Sequence, residues 1–227
     1  MVYAIIVAAG EGKRAGYEIP KQFQKLNNKT VLQLTAEKLQ NSNEIDKFIV
    51  VTHKDYLQES KMEVSHLNKC STILIGDKSR QESVFVGLKY LNDLPIKPNF
   101  VAIHDAVRPF TDKKKIQEVV DKAKNLGGAI LAEKAQYTMS IAKESKLFKM
   151  LDRTNIYLHH TPQVFDFEKL FYAYKEVENK LEYFTDDASI YVSAGFEVYI
   201  VEDYKTNIKL TTKKDFEIAQ CLIKLIY

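Results

Sequence analysis

Val2-Tyr3-Ala4-Ile5-Ile6-Val7-Ala8-Ala9-Gly10-Glu11-Gly12-Lys13-Arg14-Ala15-Gly16 is the stretch that decides the fold. A short run rich in Ile, Val and Tyr breaks directly into glycines. The run 3–8 has the pattern of a strand buried on both faces. A loop at the carboxyl end of such a strand is where doubly wound sheets bind their ligands. Gly10-x-Gly12-x-x-Ala15 matches the dinucleotide fingerprint, but that fingerprint needs a helix to begin inside it. Gly16 and Pro20 follow instead, and the residue before a proline avoids helix. The loop therefore stays open until about Val31. An open glycine loop carrying Arg14, followed by Pro20-Lys21-Gln22, suits a triphosphate. Backbone N–H groups approach phosphate oxygens where no side chains intervene, and two cations neutralise the rest. A surface loop with solvated charges is the competing reading of this segment alone.

Further strands are expected at 47–52, 71–74, 99–103, 129–132 and 196–201. Amphipathic stretches lie near 31–40, 80–91, 113–125, 167–179, 186–194 and 213–226. Alternation of β and α predicts an α/β protein with a mostly parallel, doubly wound sheet and helices on both faces. The 227 residues suit one domain, 1–227. The segment 134–153 breaks the rhythm. Runs at 137–142 and 147–151 flank Lys143-Glu144-Ser145-Lys146 and predict a hairpin projecting from the sheet. From periodicity alone it is an ordinary surface hairpin.

Several classes of function are disfavoured. The net charge of +3 is too small to argue for nucleic acid. No apolar run reaches the roughly 18 residues that span a bilayer. The first residues are too short and uncharged for a secretory signal. Cys70 and Cys221 are the only cysteines, too few for a disulfide framework or a zinc site, which fits a reducing cytoplasm.

The loops after strands carry the chemistry. In Gly76-Asp77-Lys78-Ser79-Arg80-Gln81-Glu82-Ser83, Ser79 and Glu82 form a capping box, and Arg80 and Ser83 sit in the first helical turn, near enough to a strand end to meet a base. In His104-Asp105-Ala106-Val107-Arg108-Pro109, an acid ends a strand, where it could hold a metal or a substrate hydroxyl. Asp105 and Arg108 could equally form a structural ion pair. His104 is expected to be a satisfied internal histidine, since no second His or Cys stands at metal spacing. Thr185 reads as a helix N-cap, Thr212 with Asp215 as another, and Lys209 alone as a solvated lysine.

Taken in order, these motifs resemble one family over nearly the whole chain. They are Ala8-Ala9-Gly10-x-Gly12-x-Arg14, Pro20-Lys21-Gln22, Arg80-x-x-Ser83-Val84, His104-Asp105-Ala106-Val107-Arg108-Pro109, Arg153, Thr161-Pro162-Gln163, Thr185-Asp186-Asp187-Ala188-Ser189 and Asn207-Ile208-Lys209. Their order and spacing resemble the cytidylyltransferases of the methylerythritol phosphate pathway and their relatives that act on ribitol 5-phosphate. The resemblance implies a Rossmann-like nucleotidyltransferase fold and a homodimer in which the arm at about 134–153 clasps the partner. It implies that Ala8, Ala9, Gly10, Gly12, Gly76 and Ser83 bind CTP. Arg14, Lys21 and Lys209 would be catalytic, stabilising charge on the phosphates. Asp105, Arg108, Thr161 and Thr185 would line the polyol phosphate site, and Arg153 would reach the partner's site to grip the substrate phosphate. The expected reaction joins CTP to 2-C-methyl-D-erythritol 4-phosphate and releases pyrophosphate, with Mg²⁺ bridging the nucleotide phosphates. No protein ligand for a metal is assigned, Asp105 being the one candidate.

The sequence departs from the family pattern in places. Asp77 stands where a second glycine is usual, which puts the base contact there in question. Ala15 replaces a Met, His160 a Gln, and Tyr137 an Asp. Ser83-Val84 and Thr185-Asp186-Asp187-Ala188-Ser189 resemble the methylerythritol type rather than the ribitol type. A ribitol-5-phosphate cytidylyltransferase and a catalytically inactive nucleotide-binding regulatory module are the alternatives.

Overall fold

Seven strands form the main sheet of this computed structural model, which describes residues 1–10 and 19–226. The elements, in chain order, are β1 (Val2–Ala8), β2 (Lys25–Leu26), β3 (Lys29–Thr30), α1 (Val31–Gln40), β4 (Lys47–Thr52), α2 (Leu57–Val64), β5 (Cys70–Ile75), α3 (Arg80–Asn92), β6 (Phe100–Asp105), α4 (Lys113–Leu126), β7 (Gly128–Lys134), β8 (Met139–Lys143), β9 (Lys146–Leu151), β10 (Tyr157–Asp166), α5 (Phe167–Glu176), α6 (Asp187–Ser193), β11 (Tyr199–Glu202) and α7 (Lys213–Ile226). The sheet order is β11-β7-β10-β6-β1-β4-β5. β1 runs parallel to β4 and β6, β5 is parallel to β4, and β11 is parallel to β7. Only β10 is reversed, antiparallel to both β6 and β7.

Alternation along β1 sets the two layers. Successive side chains of a strand point to opposite faces. Val2, Ala4, Ile6 and Ala8 therefore meet Leu32, Ala36 and Leu39 of α1 and Ile116 and Val120 of α4. Tyr3 and Ile5 meet Val84 and Leu88 of α3 together with Phe167 and Tyr174 of α5. Ile5 and Ile6 are fully buried, each contributing roughly 1.5–3 kcal/mol of apolar transfer. A third cluster joins α7, through Phe216, Ala219 and Ile223, to Leu26, Val31 and Leu34. It fixes the segment before α7, which carries Lys209.

The expected doubly wound α/β sheet is present, with differences. β10 and α2 are not foreshadowed by periodicity, β11 lies later than 196–201, and α5 stops at Glu176 instead of reaching 179. Thr185 is not the N-cap of α6. Asp186 is, accepting from Ser189 N at 3.0 Å. The expected capping box at Ser79 and Glu82 is present, with Glu82 N donating to Ser79 Oγ and Ser79 N to Glu82 Oε2.

The hairpin β8–β9 leaves the sheet between β7 and β10 and pairs only with itself. Its turn, Glu144-Ser145, has φ of 48° and 65°, the doubly positive geometry of a two-residue hairpin turn. Leu147, Phe148 and Met150 are largely exposed along it, as are Tyr137 before it and Leu158 after it.

Candidate active site

Strand β1 ends in Ala8-Ala9-Gly10 at the floor of a cleft of about 780 Å³. The rest of the cleft comes from Lys21 and Gln22, from His53 and Lys54 beyond β4, from the turn between β5 and α3, and from Asp105 and Lys209. Gln22 ties the loop root together: its Nε2 donates to Ala8 O at 2.6 Å and to Gly10 O at 3.0 Å. Gly76 lies against the floor so closely that a Cβ there would stand 2.7 Å from both Ala9 Cβ and Ser83 Oγ. Glycine at this position therefore sets how near the β5–α3 turn approaches β1. Ser83 is fully buried. Its hydroxyl donates to Ser79 O at 2.8 Å and accepts from Asp77 N at 3.1 Å, which pins the same turn. Asp77 keeps its carboxylate at the rim, where Oδ1 accepts from Lys78 N.

A second cleft, about 470 Å³, adjoins the first. Arg108, Thr161, Gln163, Thr185 and Asp186 line it, along with residues 157–159 of β10. Arg80, Asp105 and Lys209 line both clefts. These three form the common wall. Asp105 Oδ1 accepts from Arg80 Nε at 2.9 Å, and its Oδ2 lies 2.7 Å from Lys209 Nζ and 3.8 Å from Arg108 Nε. Arg80 also reaches Asp187, whose Oδ2 is 2.8 Å from Nη2 and whose Oδ1 accepts from Tyr174 at 2.6 Å. Burial alone would raise the Asp105 carboxyl, but Arg80, Lys209 and Arg108 outweigh it and hold the acid well below the usual carboxylate range. The same logic keeps Arg80 charged: burial opposes the cation, and Asp187 and Asp105 more than compensate.

Behind this wall sits a buried polar network that fixes its geometry. Asp105 N donates to Thr161 Oγ1 at 3.0 Å, and that hydroxyl lies 2.9 Å from His104 Nδ1. The ring thus lies between two threonine hydroxyls, with Nε2 3.5 Å from Thr111 Oγ1. Burial pushes His104 down to about 4, so the ring is neutral near pH 7 and structural, as expected. Arg108 Nη1 donates to Asn207 O at 2.6 Å, and Asn207 Nδ2 donates to Asp203 Oδ2 at 2.6 Å and to Thr161 O at 3.1 Å. His160 Nδ1 adds a 2.9 Å contact to Asp203. The loop that carries Lys209 is thus bolted to β10 and to the end of β6.

Of the residues singled out in the sequence, the structure gathers Ala8, Ala9, Gly10, Lys21, Gly76, Ser83, Asp105 and Lys209 around the first cleft. Arg108, Thr161 and Thr185 come together at the second. Gly12 and Arg14 fall outside the described residues. Arg153 lines neither cleft of its own chain and donates instead to Gln136 O. Arg80, expected to meet a base, turns its guanidinium to Asp105 and Asp187. Asp105 is not suited to a metal: three cations already surround its carboxylate. Among the described residues, no group of three His, Cys, Asp or Glu side chains could hold a metal ion. Sequence reasoning did not single out Gln22, Asp187 or His159. Gln22 and Asp187 lay inside quoted motifs, but no spacing rule marks a residue whose partner is far along the chain.

Comparison with known proteins bears directly on this arrangement. Residues 2–225 match the family model of 2-C-methyl-D-erythritol 4-phosphate cytidylyltransferase. The chain is 59% identical over 225 residues to the protein of that name from Petrotoga mobilis, covering 99% of each. Its fold is similar to the 4-diphosphocytidyl-2C-methyl-D-erythritol synthase of Anaerococcus prevotii, with a TM-score of 0.85, 26% identity and coverage of 99% and 98% of the two chains. It is also similar to the 2-C-methyl-D-erythritol 4-phosphate cytidylyltransferase of Francisella tularensis, with a TM-score of 0.82, 33% identity and coverage of 97% and 98%.

Proposed function

This chain belongs to the 2-C-methyl-D-erythritol 4-phosphate cytidylyltransferase family, and from that premise we propose how its two joined clefts carry the reaction. The enzyme transfers CMP from CTP to 2-C-methyl-D-erythritol 4-phosphate and releases pyrophosphate, a step of isoprenoid precursor synthesis. The carrying observation is the common wall of Arg80, Asp105 and Lys209. Two pockets that share a cation suit two anionic substrates that must react with each other.

CTP occupies the larger cleft, with its base near Gly76 and Ser83, its ribose over Ala8, Ala9 and Gly10, and its phosphates toward Lys21. Gly12 and Arg14 complete the phosphate loop. The polyol phosphate occupies the second cleft, with hydroxyls toward Asp105, Arg108, Thr161 and Thr185. Its phosphate oxygen attacks the α-phosphorus in line, the α–β bridging bond breaks, and pyrophosphate leaves. A phosphate monoester is already anionic near pH 7, so no general base is needed. Catalysis is then positioning and charge stabilisation. Lys209, at the boundary of the clefts, neutralises the α-phosphate, while Lys21 and Arg14 neutralise the departing pyrophosphate. Mg²⁺ arriving with the nucleotide would offset part of the triphosphate charge; the cation-ringed Asp105 is not assigned to hold it.

The protein acts as a homodimer in which the arm 134–153 clasps its mate. The exposed Leu147, Phe148 and Met150 support this, since such apolar surface calls for a covering partner. Arg153 then delivers its guanidinium to the partner's second cleft. Two unpaired cysteines, Cys221 exposed, suit a cytoplasmic setting.

The test is pyrophosphate release from CTP with 2-C-methyl-D-erythritol 4-phosphate or ribitol 5-phosphate, UTP replacing CTP in a parallel series. Turnover with the first polyol and with CTP is expected to exceed the others by at least about 100-fold, as polar discrimination in a buried site allows. Equal use of ribitol 5-phosphate would overturn the acceptor assignment. Mixed dimers of Arg153→Ala and Lys21→Ala should regain activity, because one of their two sites keeps both residues. Mixed dimers no more active than either parent would overturn the shared site.

A further inference from the structure

His159 lines the second cleft without an assigned role, yet its placement is that of a ligand group. It lies on β10 at the wall of the second cleft, with its side chain 45% exposed. Its Nδ1 sits 2.6 Å from Asp186 Oδ2. That carboxylate is itself held by two further hydrogen bonds. Asp186 caps α6, its Oδ1 accepting from Ser189 N at 3.0 Å, and its Oδ2 also accepts from Gln163 Nε2 at 3.0 Å. A histidine whose Nδ1–H is held by a carboxylate has a set ring orientation, and in its charged form it presents Nε2–H to a ligand as a second donor. Nε2 has no hydrogen-bond partner among the described residues, and it belongs to a residue facing open volume. Beside it, Arg108 Nη2 lies 3.4 Å from the His159 carbonyl, so a guanidinium borders the same corner.

We infer that His159 is a substrate-binding residue of the second cleft, its Nε2–H donating to a phosphate oxygen of the polyol phosphate. The inference rests on the assignment of that cleft to the polyol phosphate. The bond is to a non-attacking oxygen; no proton is transferred and no covalent step involves the ring. The carboxylate–imidazole pair is close to neutral in sum, so the contact adds direction more than charge. Long-range attraction for the dianion comes from Arg80, Arg108 and Lys209.

The pair also gives the contact a pH range. The hydrogen bond from Asp186 raises His159 above its usual value, against a smaller opposing effect of burial. The charged groups that share the cleft with it are Asp186 from the start of α6 and Asp105, Arg80, Arg108 and Lys209 from the cleft wall; Glu133 of the neighbouring β7 pairs in register with Leu158 and lies against His160 instead. A raised histidine is charged below its ordinary value and loses its proton as pH rises through the folded one. The substrate phosphate becomes a dianion above about pH 6. The contact is strongest where the ring is charged and the phosphate is a dianion, and it weakens as pH rises through the histidine's raised titration.

The experiment compares the full-length wild type with His159→Ala and His159→Gln. The KM for 2-C-methyl-D-erythritol 4-phosphate should rise about 10-fold in His159→Ala at pH 7, the lower end for a hydrogen bond to a charged group. The KM for CTP should stay within about twofold, because CTP occupies the other cleft. The gap between wild type and His159→Ala should narrow as pH rises above the histidine's titration. His159→Gln, which keeps an N–H but cannot titrate, should be intermediate and lack that pH dependence. An unchanged KM for the polyol phosphate, or a KM ratio flat with pH, would overturn the inference while wild-type turnover upheld the substrate assignment. Should wild type fail to turn over that polyol, the substrate assignment falls. The inference is then decided by NMR titration of the His159 ring with inorganic phosphate, where an unmoved resonance overturns it and a saturable shift supports it.

Discussion

Replacing Arg80 with Met removes the centre of a buried charge cluster while keeping much of the side-chain length. In the native protein the guanidinium satisfies Asp105 at 2.9 Å and lies 2.8 Å from Asp187, whose side chain is fully buried. After the change Asp105 still has Lys209 at 2.7 Å, but among the described residues Asp187 retains only the Tyr174 hydroxyl at 2.6 Å. Removing one partner of a buried ion pair costs about 3–5 kcal/mol, because the other charge stays buried and uncompensated. Two features place the expected value near the lower end, about 3 kcal/mol. The Arg80 side chain is 22% exposed, and its Nη1 is buried with no hydrogen-bond partner among the described residues, so the native cluster is imperfect. The contact between Nη2 and Asp187 Oδ2 is close but poorly aligned for a hydrogen bond. Urea unfolding at pH 7 should show a lower midpoint with an unchanged slope. Arg80→Met with Asp187→Asn should recover a substantial part of the loss, since a neutral amide is far less costly to bury than a carboxylate. A loss below about 1 kcal/mol, as for a surface pair, or no recovery in the double variant, would show that Arg80 does not compensate a buried Asp187 charge.

Three further outcomes follow from the same geometry. Gly76→Ala should cost about 1–3 kcal/mol by overpacking and raise the KM for CTP, because the new Cβ would stand 2.7 Å from Ala9 Cβ and Ser83 Oγ; an unaltered thermal midpoint and KM would contradict this. Lys21→Ala should lower turnover on the order of 10²–10³-fold, as loss of one transition-state charge partner does, with circular dichroism unchanged; near-normal turnover in the folded variant would remove its assigned role. Asp105 is held below the ordinary carboxylate value, so its stabilisation is fully present above about pH 5 and is lost as pH falls below 3.9 toward the depressed folded value. Asp105→Asn should therefore lie below wild type in unfolding free energy at pH 6 and converge on it with acidification, and two parallel acid profiles would show that the cations do not hold this carboxylate.

Most of the parallel sheet is legible from local pattern, because Val, Ile and Ala runs buried on both faces have no other stable home. β10 is not. It contains His159-His160-Thr161-Pro162, and a proline inside a run argues against a central strand. The structure accommodates it through a register shift between His159 and Gln163 against β7. α2 presents little apolar periodicity, with Ser60 and Val64 its only buried residues. Within the site, Asp105 and Lys209 are visible because they end or follow strands and fall in family motifs. The partnership of Arg80 with Asp187 is not visible, since it links the first turn of α3 to that of α6 across 107 positions. His159 gives no signal either. Its orientation depends on Asp186, which the sequence presents as one more polar residue at a helix start.

The wall common to both clefts makes the occupants of those clefts thermodynamic neighbours. Lys209 rests on Asp105 at 2.7 Å. A nucleotide phosphate that draws Lys209 toward itself leaves Asp105 to Arg80 and frees one carboxylate oxygen to accept a hydroxyl from the second substrate. Nucleotide binding would then prepare the polyol cleft. By reciprocity the factor by which CTP tightens the polyol phosphate equals the factor by which the polyol phosphate tightens CTP. One shared lysine would thereby be enough to make an apparently ordered encounter out of two separate pockets.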